Sequence, residues 1–167
     1  MLAHPENCTC EVCRPPVPFL DYGFQLPDCV WAQPADQRSP RNTPDFAELG
    51  ARRFLRGLMP IRLPDCREFR YGVWLEIDEP TFVEVNRSWS DPVRYPRLRF
   101  AATIANAAPP WNDRLLGVAV DVGVRDQDSR PFVIASSQAW LQELLDHGWT
   151  MADYRAAIDA IGVAATG

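Results

Sequence analysis

The residue types best suited to chemistry stand at the start of the chain. The stretch HPENCTCEVCRPP carries His4, Cys8, Cys10 and Cys13, three of the five cysteines in the protein. A Cys-x-x-Cys turn such as Cys10–Cys13 wraps a tetrahedral zinc ion, and structural zinc sites take four ligands. Cys8 offers a third thiolate. Cys29 offers the fourth at a spacing found in zinc loops, with His4 as its substitute. The expected cofactor is therefore a structural zinc held by Cys8, Cys10, Cys13 and Cys29. Two other readings stay open: free thiols, and a disulfide or redox pair. A catalytic zinc is not indicated, because no Glu or pair of His residues stands nearby to activate a water. Cys66, in LPDCREF, reads as a turn or packing cysteine.

The rest of the chain is poor in catalytic patterns. There are two histidines, and His147 closes a helical run just before Gly148, where a cation answers the negative helix end. Nucleophile-elbow, His-Glu-x-x-His, phosphate-loop and dinucleotide patterns are absent from the sequence. All 17 basic residues are arginine, which excludes Schiff-base lysine chemistry and a phosphate-loop lysine. Of the acidic run Glu76, Asp78, Glu79 and Glu84, the middle two are explained as helix N-terminal charges.

These residues must be positioned by the elements around them. The first fifty residues are rich in proline, which blocks helix and central strand alike; they read as an irregular arm with one turn near 34–38. Residues 51–167 read as an α+β domain. ARRFLRG and LMPIRL are expected as short strands around Gly57, with an edge or bulge at Pro60. FRYGVWLEID is a strand by its aromatic and β-branched content. DEPTFVEVNRSWS is a helix capped at Asp78 or Glu79, with Pro80 in its first turn and Phe82, Val85 and Trp89 on its core side. RLRFAATI, LLGVAVDVGV and RPFVIAS are further strands. Two helices end the chain. Ser137 is expected to cap the first, which stops at Gly148, and Thr150 with Asp153 forms a capping box for the second.

Strands first and helices last predict an α+β fold: a largely antiparallel sheet with helices packed on one face, and a Pro-rich arm that zinc would pin to it. Period-two alternation puts Tyr71, Val73, Leu75 and Ile77 on the core face, with Leu98, Phe100, Ala102 and Ile104, and with Val118, Val120, Val122 and Val124. The opposite face carries Trp74, Glu76, Arg99 and Asp121, with Arg56 nearby. Read functionally, this is a docking face with Trp74 as anchor and charged neighbours to orient a partner. Read plainly, it is a solvated face with cross-strand ion pairs.

The ordered set RRFLRGLMPIRL, FRYGVWLEIDEPTFVEVNRSW, YPRLRFAATIANAAPPW and SRPFVI resembles the bacterial family catalogued as domain of unknown function 2199. The matching positions are Cys10, Cys13, Arg56, Gly57, Pro60, Gly72, Val73, Trp74, Trp89, Pro96, Arg130 and Pro131, within roughly residues 8 to 135. The chain departs from that family's pattern where Arg14 and Pro15 replace a Gly followed by a His, and where Phe46 replaces a cysteine. Both departures weaken the case for inherited metal binding.

Composition narrows the role. Apolar residues make up 47% and charged residues 23%, as in ordinary globular proteins, and the net charge is −5. That balance argues against a general nucleic-acid footprint. No signal-peptide pattern and no apolar stretch of about 20 residues is present, so the expected setting is the cytoplasm, with no membrane association. The expected function is a non-enzymatic protein-binding module whose partner is another protein. A small acidic immunity protein that neutralises a basic toxin is one natural form. The alternatives are an enzyme using the polar sheet face or the cysteine cluster, and a structural accessory subunit.

Overall fold

A computed structural model describes residues 21–166, with side chains to residue 162. His4, Cys8, Cys10 and Cys13 lie outside the described residues. The described residues form seven strands: β1 (Asp21–Gly23), β2 (Phe46–Leu49), β3 (Arg52–Arg62), β4 (Glu68–Ile77), β5 (Arg99–Ile104), β6 (Ala119–Gly123) and β7 (Phe132–Ser136). Four α-helices accompany them: α1 (Asp28–Trp31), α2 (Glu79–Ser88), α3 (Ala139–His147) and α4 (Met151–Thr166).

The longest pairing is the β3–β4 hairpin, in register from Arg53↔Ile77 to Arg62↔Glu68. Its turn places Cys66 at φ 68, the left-handed region, so Cys66 is a turn residue as its sequence setting suggested. The expectation of two short strands around Gly57 is corrected to one continuous strand. Gly57 sits inside it because a Cβ there would collide with the Leu75 side chain and approach the Pro131 carbonyl at 3.1 Å. One edge of β3 is shared by two neighbours. Arg56 N donates to the Asp45 carbonyl just before β2, and Leu58 N donates to the Pro131 carbonyl just before β7. The next outward donor on that edge would be residue 60, a proline without N–H, and the parallel β3–β7 contact is confined to Leu58↔Phe132.

That short parallel contact changes the architecture. β4 pairs with β5, β5 with β6, β6 with β7 and β7 with β3, so the sheet closes into a five-stranded barrel. The pairing is largely antiparallel, as expected, and the sheet is closed on itself as a barrel with the four helices around it. The interior holds Leu55, Met59, Ile61, Phe69, Tyr71, Val73, Leu75, Val120, Val122 and Val133, all buried. α3 and α4 add Leu141, Tyr154, Ala157 and Ile161 to this core beside Phe69, at the start of β4. α2 adds Val85 beside Ile77, at the other end of β4. Closure satisfies strand edges that an open sheet would leave bare.

The expected irregular arm is also corrected from residue 21 onward. β1 runs parallel to β4, β2 runs antiparallel to β3, and α1 lies between them in sequence. Only a 3-10 turn at Ala35–Gln37 matches the single turn foreseen near Pro34. The helix signals fared better. Asp78 Oδ1 accepts from Thr81 N at 2.8 Å. Thr150 Oγ1 accepts from Asp153 N at 3.1 Å while Asp153 Oδ2 accepts from Thr150 N at 2.9 Å, which closes the capping box. At α3 the N-cap position is Gln138, with no side-chain cap bond, so the cap expected at Ser137 is corrected, and Ser136 at the end of β7 braces the turn before the helix. Its Oγ accepts from Gln138 N at 3.1 Å, and Gln142 Oε1 accepts from Ser136 N at 2.8 Å.

Candidate functional site: an arginine cleft on the barrel wall

The docking face read from strand phase does not survive as a surface. Trp74 points outward from the barrel, yet it is 0% exposed. The segment that follows β1 covers it: Phe24, Leu26, Cys29 and Val30 pack with Phe54, Ala47 and Ala105 around the indole. Trp74 Nε1 donates to the Phe24 carbonyl at 3.1 Å. Asp28 pins the cover, its two oxygens accepting from Asn106 Nδ2 at 2.8 Å and Ala107 N at 2.6 Å. Trp74 therefore anchors the protein's own chain and is corrected as a partner anchor.

Among the described residues, the charged members of that set form no ion pair with one another. Glu76 makes a bidentate pair with Arg52, 2.7 Å for each contact, which holds its carboxyl below the ordinary value. Arg99 folds against Gly123 and donates to the Leu98 carbonyl at 2.6 Å. Asp121 stays exposed on β6. Cys29 belongs to the cover, and burial pushes its thiol up, with the Arg52 charge opposing. Among the described residues, no three His, Cys, Asp or Glu side chains gather as a metal site. His147 ends α3 as expected. It lines a shallow cleft of about 460 Å³ with Trp140 and Arg114, whose guanidinium covers the Trp140 ring at 4.4 Å.

Arg56 is different. On the outer wall, Gly23 and Gly72 face each other in the β1–β4 register. The Arg56 guanidinium lies across this pair: a Cβ on Gly23 would stand 2.8 Å from Nη2, and one on Gly72 would stand 3.4 Å from it. The two glycines thus make room for one planar cation. Its Nε is buried without an acceptor, and no carboxylate forms an ion pair with it among the described residues. Burial lowers its pKa, the nearby Arg130 charge adds to that, and Asp45 opposes both.

Beside it opens a cleft of about 550 Å³ lined by Leu58, Arg70, Asp45, Arg130, Trp89, Tyr95 and the loop 127–129. Leu58 pairs with Gly72, which lies under the Arg56 guanidinium, and the charges of the lining residues Arg130 and Asp45 act on Arg56. The loop is tied down at several points. Gln127 Nε2 donates to the Trp89 carbonyl at 3.1 Å, and the Tyr95 hydroxyl donates to the Ser129 carbonyl at 3.0 Å. Asp126 Oδ1 accepts from Asp128 N at 3.0 Å. Arg130 Nε donates to Asp45 Oδ1 at 2.6 Å. Gln127 Oε1 is, like Arg56 Nε, buried without a partner. Buried polar atoms without partners are rare and mark places where a ligand or an ordered water belongs.

A family model described as an uncharacterized protein conserved in bacteria, domain of unknown function 2199, matches residues 8–144. The chain belongs to this family. No curated protein and no solved structure matches it. Of the positions that carried the family resemblance in the sequence, Trp89 and Arg130 line the cleft, and Pro131 accepts from the N–H of its lining residue Leu58. Sequence reading singled out Arg56 but missed Asp45, Tyr95 and Gln127. Arg130 carried a signal, the Arg-Pro pair. Asp45 carried none, because it meets Arg130 across 85 positions of chain.

Proposed function

We propose that this member of the uncharacterized family is a non-enzymatic binding module that docks a protein partner at the arginine cleft. One observation carries the reading: an open polar cleft lined by Trp89, Tyr95, Arg70 and Arg130, beside an Arg56 guanidinium that is seated on a glycine pair with its Nε buried and without an acceptor. The lining groups suit recognition better than proton transfer. The Tyr95 hydroxyl is committed to the Ser129 carbonyl, and burial, then the Asp45 charge, pushes its pKa up. Asp45 is committed to Arg130. A general base needs a free lone pair and a pKa near the working pH. Trp and Arg side chains, by contrast, are the residues that most often carry binding energy at interfaces. The net charge of −5 favours a partner that is basic overall, which keeps a toxin-neutralising immunity protein as the form we favour.

The test is affinity capture with the wild type, Arg56→Gln and Arg130→Gln in parallel, followed by titration of the captured partner as a purified protein. The expected result is a partner that binds the wild type as purified protein and loses most of its affinity for both variants. A turnover reaction that depends on Asp45 or Tyr95 would replace this reading with an enzymatic one.

A further inference from the structure

We propose that the tryptophan cleft beside α3 and α4 is the dock for this chain's own proline-rich segment, RPPVPF at residues 14–19. The inference concerns a second surface and does not depend on the arginine cleft.

The segment lies outside the described residues, and three properties of the cleft point to it. The first is its lining. The cleft, of about 460 Å³, is walled by three indoles. Trp149 is buried, and Trp111 and Trp140 are half-buried. Trp111 stacks on Trp149 with ring centres 5.8 Å apart and planes 25° apart, and Trp140 follows at 6.0 Å. The Arg114 guanidinium lies 4.4 Å over the Trp140 ring, and Glu143 is exposed in the same wall.

The second property is position. β1 begins at Asp21 opposite Arg70 and runs parallel to β4, so the chain arrives at Asp21 from the Phe69 end of β4. Phe69 heads a run of rings that leads into the cleft, through Trp149 at 5.4 Å to Trp111 and Trp140. A polyproline chain advances about 3.1 Å per residue, so residues 14–19 cover about 19 Å just before β1. That is the scale of the three ring contacts laid end to end.

The third property is chemical match. Proline has a fixed φ and no N–H, so RPPVPF is pre-set as an extended helix that offers carbonyl acceptors and pyrrolidine rings. Aromatic-lined grooves take such segments at small entropic cost. Three residues per turn put Pro15 and Pro18 on one face, towards the indoles. Arg114 supplies N–H donors for the carbonyls, and Arg14 brings a charge opposite to that of Glu143. The tether favours this occupant over another protein's proline-rich segment, because a short linker holds it at an effective concentration of the order of mM.

The test uses the full chain, isotope-labelled. Nuclear Overhauser contacts are expected between the indole protons of Trp111 and Trp140 and the ring protons of Pro15 and Pro18. The double variant Pro15→Ala, Pro18→Ala should lose them and shift both indole N–H signals, while the Trp74 indole signal stays in place. The peptide acetyl-RPPVPF-amide, added in trans, should bind the double variant saturably and the wild type several-fold more weakly, because the tethered copy competes. Glu143→Gln in the double variant changes an exposed position, and it should weaken the peptide by about two- to fivefold, the reach of a surface ion pair. Absent contacts with unmoved indole signals would overturn the proposal. So would equal binding of the peptide to wild type and double variant, which would show a cleft open to another protein's proline-rich segment. A peptide with alanine in place of both prolines that binds equally well would also end it, by removing the polyproline match.

Discussion

Trp74 Nε1 donates its proton to the carbonyl oxygen of Phe24 at 3.1 Å, so the arm and the barrel wall are joined at one indole. The ring is fully buried by residues on both sides of this bond. Trp74→Ala should therefore cost about 3–5 kcal/mol, the range for emptying a buried aromatic site. Trp74→Phe should cost less but still leave the Phe24 carbonyl without its donor. Urea unfolding checks both. A loss within about 0.5 kcal/mol, as for a surface residue, would show that the arm does not cover the ring in solution.

Asn106 is the polar counterpart of that joint. It is 0% exposed, accepts from Trp74 N at 2.8 Å, and donates to Asp28 and to the Leu26 carbonyl. Asn106→Leu should orphan these groups and destabilise the protein by several kcal/mol, since each unpaired buried group costs about 1–3 kcal/mol. Faster amide exchange confined at first to residues 24–32 would show that the arm is released before the barrel.

Gly148 has φ 75, and a Cβ there would overlap the Arg62 carbonyl oxygen, which also accepts from Trp149 N at 2.8 Å. Gly148→Ala should cost more than the roughly 1 kcal/mol of an ordinary left-handed alanine, because the backbone of β3 must also move. Thermal or chemical unfolding measures it. A cost near 1 kcal/mol or below would mean that the α3–α4 corner is not clamped to β3.

Acid should weaken the fold. Hydrogen bonds from Arg52, Arg125 and Arg67 hold the carboxyls of Glu76, Glu68 and Asp65 below their ordinary values of 4.5, 4.5 and 3.8. A carboxyl whose folded pKa is depressed binds protons more weakly in the native state. Its contribution is whole above the ordinary value and disappears as pH falls through the folded value. These pairs are partly exposed, so each is worth about 0.2–1 kcal/mol. Urea midpoints should fall below about pH 4.5, and Glu76→Gln should be less sensitive to acid than the wild type. Midpoints that are flat from pH 6 to 3 would contradict this.

We expect purified protein to carry about one zinc per chain, with Cys8, Cys10, Cys13 and Cys29 as ligands and His4 as the substitute. Cys29 sits in the cover over Trp74, so a metal bound there would tie the first residues to the barrel. Chelation should then lower the melting temperature, because binding to the native state adds to folding free energy. Metal-free protein whose melting is unchanged by chelator would end the zinc reading.

Much of the local structure was decided by the sequence alone. The interior faces of β4, β5 and β6 followed from alternation, because a strand has only two sides and burial selects one. Asp78, Thr150, Asp153 and Gly148 marked their helix ends because capping uses atoms within a few residues. Tertiary structure decided what covers the other side. Nothing in the alternation of YGVWLEI distinguishes an outward Trp74 facing solvent from one facing Phe24 and Val30, since the cover is supplied by residues some fifty positions earlier. Closure of the sheet likewise rests on one short parallel contact, Leu58 with Phe132, which no local pattern announces. The cleft belongs to the same class. Arg56 was visible as a charged residue on a strand. The glycines of its seat come through the β1–β4 and β3–β4 pairings, Asp45 through its bond to the backbone of β3, and Arg130 through the contact that closes the barrel, so no local pattern announces the arrangement.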